Sequence, residues 1–509
     1  MNFKQMKKQI GILFLVILIS INYSGSTQEV FELNIGTTNE DHIGGIIEKN
    51  NGNFIFVGSK VNNYYNPSNV YGYIAEISKQ GKIINEKTVQ IPDSLLYFGD
   101  IYLNSDDSYS VFGALGSKKN GYTNIFAFLK FDSEFNLLKK YYYKIPENRK
   151  SPGGSVIKNK NGNFVIHGSV TSLTSSIALY PYIIEISENG EFIREKYHIT
   201  VDSPSGDRIF GLIEKQNNSG YFALTQFYPD TNPELPPGRV MNLDENFELL
   251  SYICIPEYIH NVGTLKWFTD TTYILSGKKT QYSSYKAQDD DIGLIVLDTL
   301  GNEINLKYIG KPDTTDFPGF YSNFDFSSDH SSIFVAGTQD LIFHSFPNSI
   351  SKIALTKVDK DLNIIWEKFY GSDAYYIVHH IKSTKDGGCI IVSSRYDYTT
   401  QNEENDIHIL KVDSEGNNIA TPVNDELKIE MNEVIVFPNP VSYEINVRTA
   451  IQQTGGTFYL YDISGKQVIQ TNINNINTTI NISRLPSGIY LYKYHNNSKI
   501  VGNGKLIIK

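Results

Sequence analysis

Cysteine is nearly missing from this chain: Cys254 and Cys389 are the two among 509 residues. So little cysteine excludes a disulfide-built scaffold. The two lie three repeat units apart, and a bridge needs Cα atoms within about 7 Å. Both are therefore read as buried structural thiols. Tryptophan (2) and methionine (4) are also scarce. Basic residues are outnumbered, 45 Lys and Arg against 55 Asp and Glu, for a net charge of −10. That argues against a nucleic-acid partner, which requires a basic face. Catalytic signatures are missing too. There is no His-Glu-x-x-His zinc helix, no Gly-x-x-x-x-Gly-Lys phosphate loop, no Gly-x-Ser-x-Gly elbow and no Asp-box turn. The sequence nominates no catalytic residue, no cofactor and no metal.

Aromatics, by contrast, are plentiful, with 35 Tyr and 28 Phe. Together with Ile, Val and Thr they favour strands. At the N-terminus Lys4, Lys7 and Lys8 precede an apolar stretch, Ile10 to Ile21, of twelve residues. Twelve is too few to cross a bilayer and fits the core of a signal peptide, with Ser24 and Ser26 as a small-x-small cleavage site. The expectation is a signal peptide over 1–26, removed on export, with no membrane span in the mature chain; an uncleaved anchor is the alternative.

One stretch organises the rest of the chain. Asn51-Gly52-Asn53-Phe54-Ile55-Phe56-Val57-Gly58-Ser59 returns as Asn161-Gly162-Asn163-Phe164-Val165-Ile166-His167-Gly168-Ser169. Asn-Gly marks a tight hairpin turn, and the apolar run after it reads as a buried strand that closes on glycine. The glycine recurs as Gly58, Gly113, Gly168, Gly277 and Gly337, with Thr225 and Ser393 in its place in two units, at spacings of 55, 55, 57, 52, 60 and 56. A second marker, an apolar strand ending in Ser or Asp, gives the same seven units: Ser78, Asp132, Ser187, Asp244, Asp298, Asp359 and Asp413. Each unit carries four strand signals, in the first Ile43–Glu48, Phe54–Ser59, Tyr73–Ser78 and Ile83–Val89. The turn before the fourth strand holds Gly81, Gly190, Gly301 or Gly416 in four units. Phe135, Phe247 and Leu362 stand nearby in the others, so those turns are expected to differ.

Four antiparallel strands per repeat of this length describe a β-propeller blade. The seventh unit lacks a fourth strand, because Ile419-Ala420-Thr421 breaks off at Pro422. Phe31-Glu32-Leu33-Asn34-Ile35-Gly36 resembles the fourth strands Ile304–Gly310 and Trp366–Gly371, so the N-terminal strand should complete the last blade and leave no open edge at the seam. The reading is an all-β chain with a seven-bladed β-propeller over 29–418; six or eight blades are the alternative counts.

A polar linker, 419–433, leads to a second all-β pattern over 434–509, with some seven short strands that suggest a small β-sandwich. Phe437-Pro438-Asn439-Pro440, Tyr461-Asp462 with Gly465-Lys466, Leu485 with Gly488-Ile489-Tyr490, and the terminal Lys505–Lys509 stand in an order and spacing that resemble the type A C-terminal sorting domain of the type IX secretion system. The resemblance implies a folded cargo exported across the outer membrane. It also implies type IX machinery and a sortase-like peptidase as partners, and attachment to surface polysaccharide or release. As sorting-signal residues it nominates Pro438, Asn439, Pro440, Gly465, Lys466, Gly488 and Tyr490. The propeller resembles, more loosely, repeat propellers carried ahead of such domains, which implies no activity.

Three clusters invite a chemical reading. His379-His380 are neighbours, and in a regular strand neighbours point to opposite faces, so they are not expected to share a ligand. Asp289-Asp290-Asp291 lacks the spacing of a calcium loop and reads as a solvated turn. Tyr64, Tyr65, Tyr282 and Tyr285 fall in the variable connections between second and third strands, where a flat amphipathic ring can contact an extracellular protein or glycan. The expected function is secreted or surface-displayed binding or adhesion. The alternative is an extracellular hydrolase or lyase acting on polysaccharide or peptide at the propeller channel. Clustered carboxylates of shifted pKa there would favour the enzyme.

Overall fold

The computed structural model describes residues 28–36, 40–61, 69–118, 123–145, 149–150, 154–172, 179–198, 207–227, 238–255, 259–260, 263–281, 289–312, 314–342, 347–399, 404–418, 434–437, 439–449, 455–475, 477–496 and 499–509. The proposed signal peptide and linker, Tyr64, Tyr65, Tyr282, Tyr285 and Pro438 lie outside them. Two compact units divide at Thr421/Pro422.

In the first unit seven antiparallel sheets follow one another along the chain, four strands deep. Blade one consists of Asp41–Glu48, Phe54–Val61, Val70–Ile77 and Ile83–Val89. Blade seven consists of Tyr375–Ser383, Cys389–Tyr396, Asn405–Val412 and the N-terminal strand Phe31–Ile35. Phe31 pairs with Lys411 and Ile35 with Ile407. The start of the chain thus completes the last blade, and the Phe31 ring packs edge-on against Phe54 of blade one (5.9 Å). Polar contacts hold the same segment: the Gln28 amide donates to Asp386 O (2.5 Å) and its oxygen accepts from Ser414 N (2.7 Å).

Every joint between neighbouring blades carries a hydrogen bond, and together they trace the whole circle. Phe98 N donates to Ser59 Oγ (2.9 Å), the Tyr102 hydroxyl to Val156 O (2.5 Å), and Lys160 N to Glu214 Oε2 (2.7 Å). Trp267 Nε1 donates to Glu214 O (2.7 Å), Lys266 Nζ to Asp325 Oδ1 (2.6 Å), Val378 N to Thr338 Oγ1 (2.9 Å), and Lys385 N to Glu48 Oε2 (2.8 Å). The last of these joins blade seven back to blade one.

Two local expectations are corrected. The recurring glycine does not close the second strand; Phe54–Val61 and Tyr109–Ser117 run on past Gly58 and Gly113. It lies instead opposite a bulge or break in the first strand: between Ile43 and Ile46, between Phe98 and Asp100, and between the pieces Asp316–Pro318 and Phe324–Phe326. There the first-strand carbonyl swings in. A Cβ on Gly58, Gly113 or Gly337 would sit 2.5, 2.0 or 2.4 Å from the oxygen of His42, Tyr97 or Phe317. Glycine is required for this close approach.

The turns before the fourth strand, second, do not differ. Phe135, Phe247 and Leu362 adopt φ of 65°, 64° and 62°, the same left-handed conformation as Gly81 at 79° and Gly416 at 73°. The backbone bonds match as well: Phe135 N to Asp132 O (3.1 Å) repeats Gly81 N to Ser78 O (2.8 Å).

Asp289-Asp290-Asp291 is not a solvated turn either. It is the start of the strand Asp289–Asp298, with Asp290 buried and paired to Lys278 (3.1 Å). Cys389 is buried as expected, whereas Cys254 is exposed on an outermost strand; neither is bridged.

The second unit is a two-sheet sandwich. Val434–Phe437, Glu444–Thr449 and Asn477–Asn481 form one sheet. Gln467–Ile473, Gly456–Asp462, Gly488–Asn496 and Lys499–Ile508 form the other, in that order. Alternate residues of both, including Ile445, Val447, Phe458, Leu460, Tyr494 and Leu506, make one core.

Candidate functional site

The first strands of the seven blades line the centre of the ring. They enclose a cavity of about 650 Å³ walled by segments around Gly45, Asp100, Val156, Gly211, Lys266, Tyr321 and Lys382, one from each blade. It runs from the level of the bulges to the turns joining first and second strands, where Ser328 and Lys385 complete the wall. The connections holding Tyr64 and Tyr65, and Tyr282 and Tyr285, leave the second strands at the other end of the sheets, after Val61 and Gln281.

The bulges decide what faces this cavity. At Val378/His380 the ladder slips by one residue, so the alternation argument for the histidine pair fails. Both rings lie against Tyr321, at 5.6 Å for His379 and 5.2 Å for His380, nearly parallel to it. Tyr321 N donates to His379 O (2.9 Å), which fixes the stack from the backbone. His379 Nε2 also meets Ser394 Oγ (2.9 Å). Burial lowers His379 to about 3 and His380 to about 4, helped for His380 by the Lys382 charge, so both rings are neutral near pH 7. Among the described residues no group of three His, Cys, Asp or Glu side chains is arranged to hold a metal.

Three carboxylates reach the cavity, each in a different setting. Asp100 is pushed up to about 6 by burial, against the opposing pull of its bond from Ile101 N (2.8 Å), the Lys382 charge and Val156 N. Burial also works to raise Asp325, but Lys266 (2.6 Å) and the Ser383 amide (2.9 Å) outweigh it and hold the carboxylate below the usual range. Glu48 is raised by burial and accepts the Lys385 amide. The charged side chain acting on Asp100 is Lys382, which is exposed. Sequence reading missed Asp100, Asp325, Lys382 and Tyr321. The available signal was their position one to several residues past each bulge, which is legible only once the ladder is known.

In the sandwich the nominated motifs converge. Asn439 spans the last strand from the side: its amide donates to Lys505 O (2.7 Å) and its oxygen accepts Ile507 N (2.8 Å). Val441 N then donates to Ile507 O (2.9 Å), and Lys509 N to Val441 O (2.8 Å). The segment from Asn439 to Val441 and the C-terminal strand are therefore one structure. Gly465 takes φ 81° in a turn where Asp462 Oδ1 accepts Ser464 N (2.9 Å) and Lys466 N (3.1 Å). Gly488 opens the strand Gly488–Asn496, and Tyr490 enters the core with its hydroxyl on Pro486 O (2.8 Å). Pro440 and Lys466 are exposed.

Residues 435–509 match the family described as the secretion system C-terminal sorting domain. The chain therefore ends in a type IX sorting domain behind a propeller, and it is exported to the extracellular space or outer cell surface. No curated protein matches the chain. Similar solved structures include the periplasmic gluconolactonase PpgL of Pseudomonas aeruginosa, at 9% identity, covering 67% of this chain and 93% of that one, TM-score 0.42. The phage phi92 endosialidase covers 86% and 78% at 11% identity and TM-score 0.41. An ulvan lyase of family PL25 covers 75% and 96% at 9% identity and TM-score 0.44. The architecture rests on the strand pairing, and likeness at this level carries nothing about chemistry.

Proposed function

We propose that this is a surface-displayed propeller that binds an extracellular ligand in its central cavity and does not turn it over. The observation that carries the reading is the electrostatic setting of the cavity carboxylates. Hydrolysis by paired carboxyl groups needs two of them flanking one bond. Here Asp325 is clamped by Lys266 and Ser383, Glu48 is held by the Lys385 amide, and the charge acting on Asp100 is a lysine.

Two observations favour the enzymatic alternative: three carboxyl groups of shifted pKa, Glu48, Asp100 and Asp325, line the cavity, and Asp100, at about 6, is suited to proton transfer near neutrality. Incubating the mature protein with glycan and peptide arrays, and analysing the supernatants for cleavage products, separates the two. Retained ligand with no product supports binding; product that disappears in Asp100→Asn establishes catalysis and ends the binding-only reading.

Export proceeds, on this proposal, with removal of 1–26, cleavage within 419–433 by a sortase-like peptidase, and attachment to surface polysaccharide or release. Pro438, Asn439, Pro440, Gly465, Lys466, Gly488 and Tyr490 are the proposed signal. Tyr64, Tyr65, Tyr282 and Tyr285 remain proposed ligand contacts. Intact mass measurement of the surface form tests both cuts.

A further inference from the structure

We infer that the cavity is a subsite for an uncharged sugar, with Tyr321 as the stacking platform and Lys382 and Asp100 as the polar clamp. The inference rests on the proposed binding function and names its ligand class. Tyr321 is 50% exposed although it stands inside the channel. Its ring lies nearly parallel to those of His379 (5.6 Å) and His380 (5.2 Å), and its backbone is pinned to blade seven by the His379 carbonyl. A fixed aromatic face with a free side is what the apolar C–H face of a pyranose ring needs.

The wall it shares carries polar groups of both kinds, donors and acceptors. Lys382 is exposed, its charge acts on both Asp100 and Asp325, and among the described residues no hydrogen bond from its ammonium is found. Asp100 has Oδ1 committed to a backbone amide and sits within the field of that lysine. A donor beside an acceptor matches a pair of sugar hydroxyls, each of which both donates and accepts. The wall sets three carboxyl groups, Glu48, Asp100 and Asp325, against three lysines, Lys266, Lys382 and Lys385, and Lys266 is already paired with Asp325, so no excess of positive charge draws an acidic sugar. A volume of about 650 Å³ falls within the ~300–1,000 Å³ usual for small-ligand sites.

The test is isothermal titration of the mature protein with neutral oligosaccharides (maltohexaose, cellohexaose, mannohexaose), uronate oligomers from alginate and pectin, and a mixed hexapeptide library. Tyr321→Ala, Lys382→Met and the outer-strand control Lys87→Met are compared, each checked by thermal melt for folding. The expected result is binding of at least one neutral sugar, weakened tenfold or more by Tyr321→Ala and Lys382→Met and unchanged by Lys87→Met. Should Tyr321→Ala fail to fold, the surface variant Lys382→Met decides alone. Sugar binding indifferent to both variants overturns the site. Preference for uronates or peptides, lost with Lys382→Met, overturns the sugar assignment while leaving the binding reading intact. No binding of any probe overturns both.

Discussion

Blades one and two build the same turn with opposite materials. Blade one places Gly81 at the left-handed position, and a Cβ there would lie 2.5 Å from the ring of Phe31, which the preceding blade supplies. Blade two places Phe135 there, in the same conformation, and buries its ring completely against Tyr109 (5.8 Å). The space between neighbouring blades must be filled once. Either the preceding blade reaches in, as Phe31, Tyr141, Ile253 and Trp366 do over Gly81, Gly190, Gly301 and Gly416, or the turn fills it. Phe31 and Trp366 share one register position, whereas Tyr141 and Ile253 reach in from two residues further along; where the turn fills the space, the position of Phe31 holds Arg194 or Asn305. Arg194 lies over Phe247 at 4.5 Å, and Asn305 donates to Asp361 O (2.9 Å) beside Leu362. The left-handed conformation costs a non-glycine residue about 1–2 kcal/mol, and burying a Phe returns about 1.5–3 kcal/mol. In these turns the three non-glycine residues, Phe135, Phe247 and Leu362, are all fully enclosed, so burial offsets the strain.

The two solutions alternate from blade one to blade seven: Gly, Phe, Gly, Phe, Gly, Leu, Gly. With seven blades the alternation must fail once, and it fails at the seam, where two glycine blades meet. The near-identical stretches at Asn51 and Asn161 lie two blades apart, in agreement with a two-blade repeat.

The comparison can be broken from several sides. Phe135→Ala should cost about 3–5 kcal/mol, since it empties an enclosed site and keeps the backbone strain; denaturant unfolding of the mature protein measures it. Gly81→Phe should cost about 1–3 kcal/mol by overpacking against Phe31. Combining it with Phe31→Asn, the residue that stands at this position before Leu362, should recover part of that loss, and if the double variant is no better than the single, the exchange of roles is wrong.

The seam offers a pH test. Burial, with Glu404 nearby and against the bond from Asn405 (3.0 Å), raises Glu40 to about 7. A carboxyl group raised on folding favours the native state below its unfolded value, and that advantage is lost as pH rises through about 7. Melting temperature should accordingly fall between pH 5 and 8. Glu40→Gln should flatten the fall, by an amount worth about 1–2 kcal/mol once solvent screening is allowed for. The smallest effect separates strain from burial: Phe135→Gly should be about 1 kcal/mol more stable than Phe135→Ala, because glycine accepts the left-handed turn freely.

Much of the fold is legible in the residues. The seven units, the four strands of each, the tight turns and the closing strand at Phe31 follow from short-range patterns, because turn chemistry and strand alternation act between residues a few positions apart. Three readings fail for one reason. The glycine at 58, the aromatic at 135 and the histidines at 379 and 380 look regular or irregular by their local pattern, and each is governed instead by a bulge or a neighbouring blade. The sorting motifs are visible separately, yet nothing in their spacing shows that Asn439 grips the backbone of Lys505 and Ile507.

By itself the sequence determined the strands, their number and the direction of export, since these are written in local propensity and in a compact terminal module. The tertiary structure alone decided the cavity. Asp100, Tyr321 and Lys382 come from three different blades. They come to line one cavity only when the ring closes and each first strand turns its bulged edge to the centre, a consequence of packing seven sheets that no window along the chain contains.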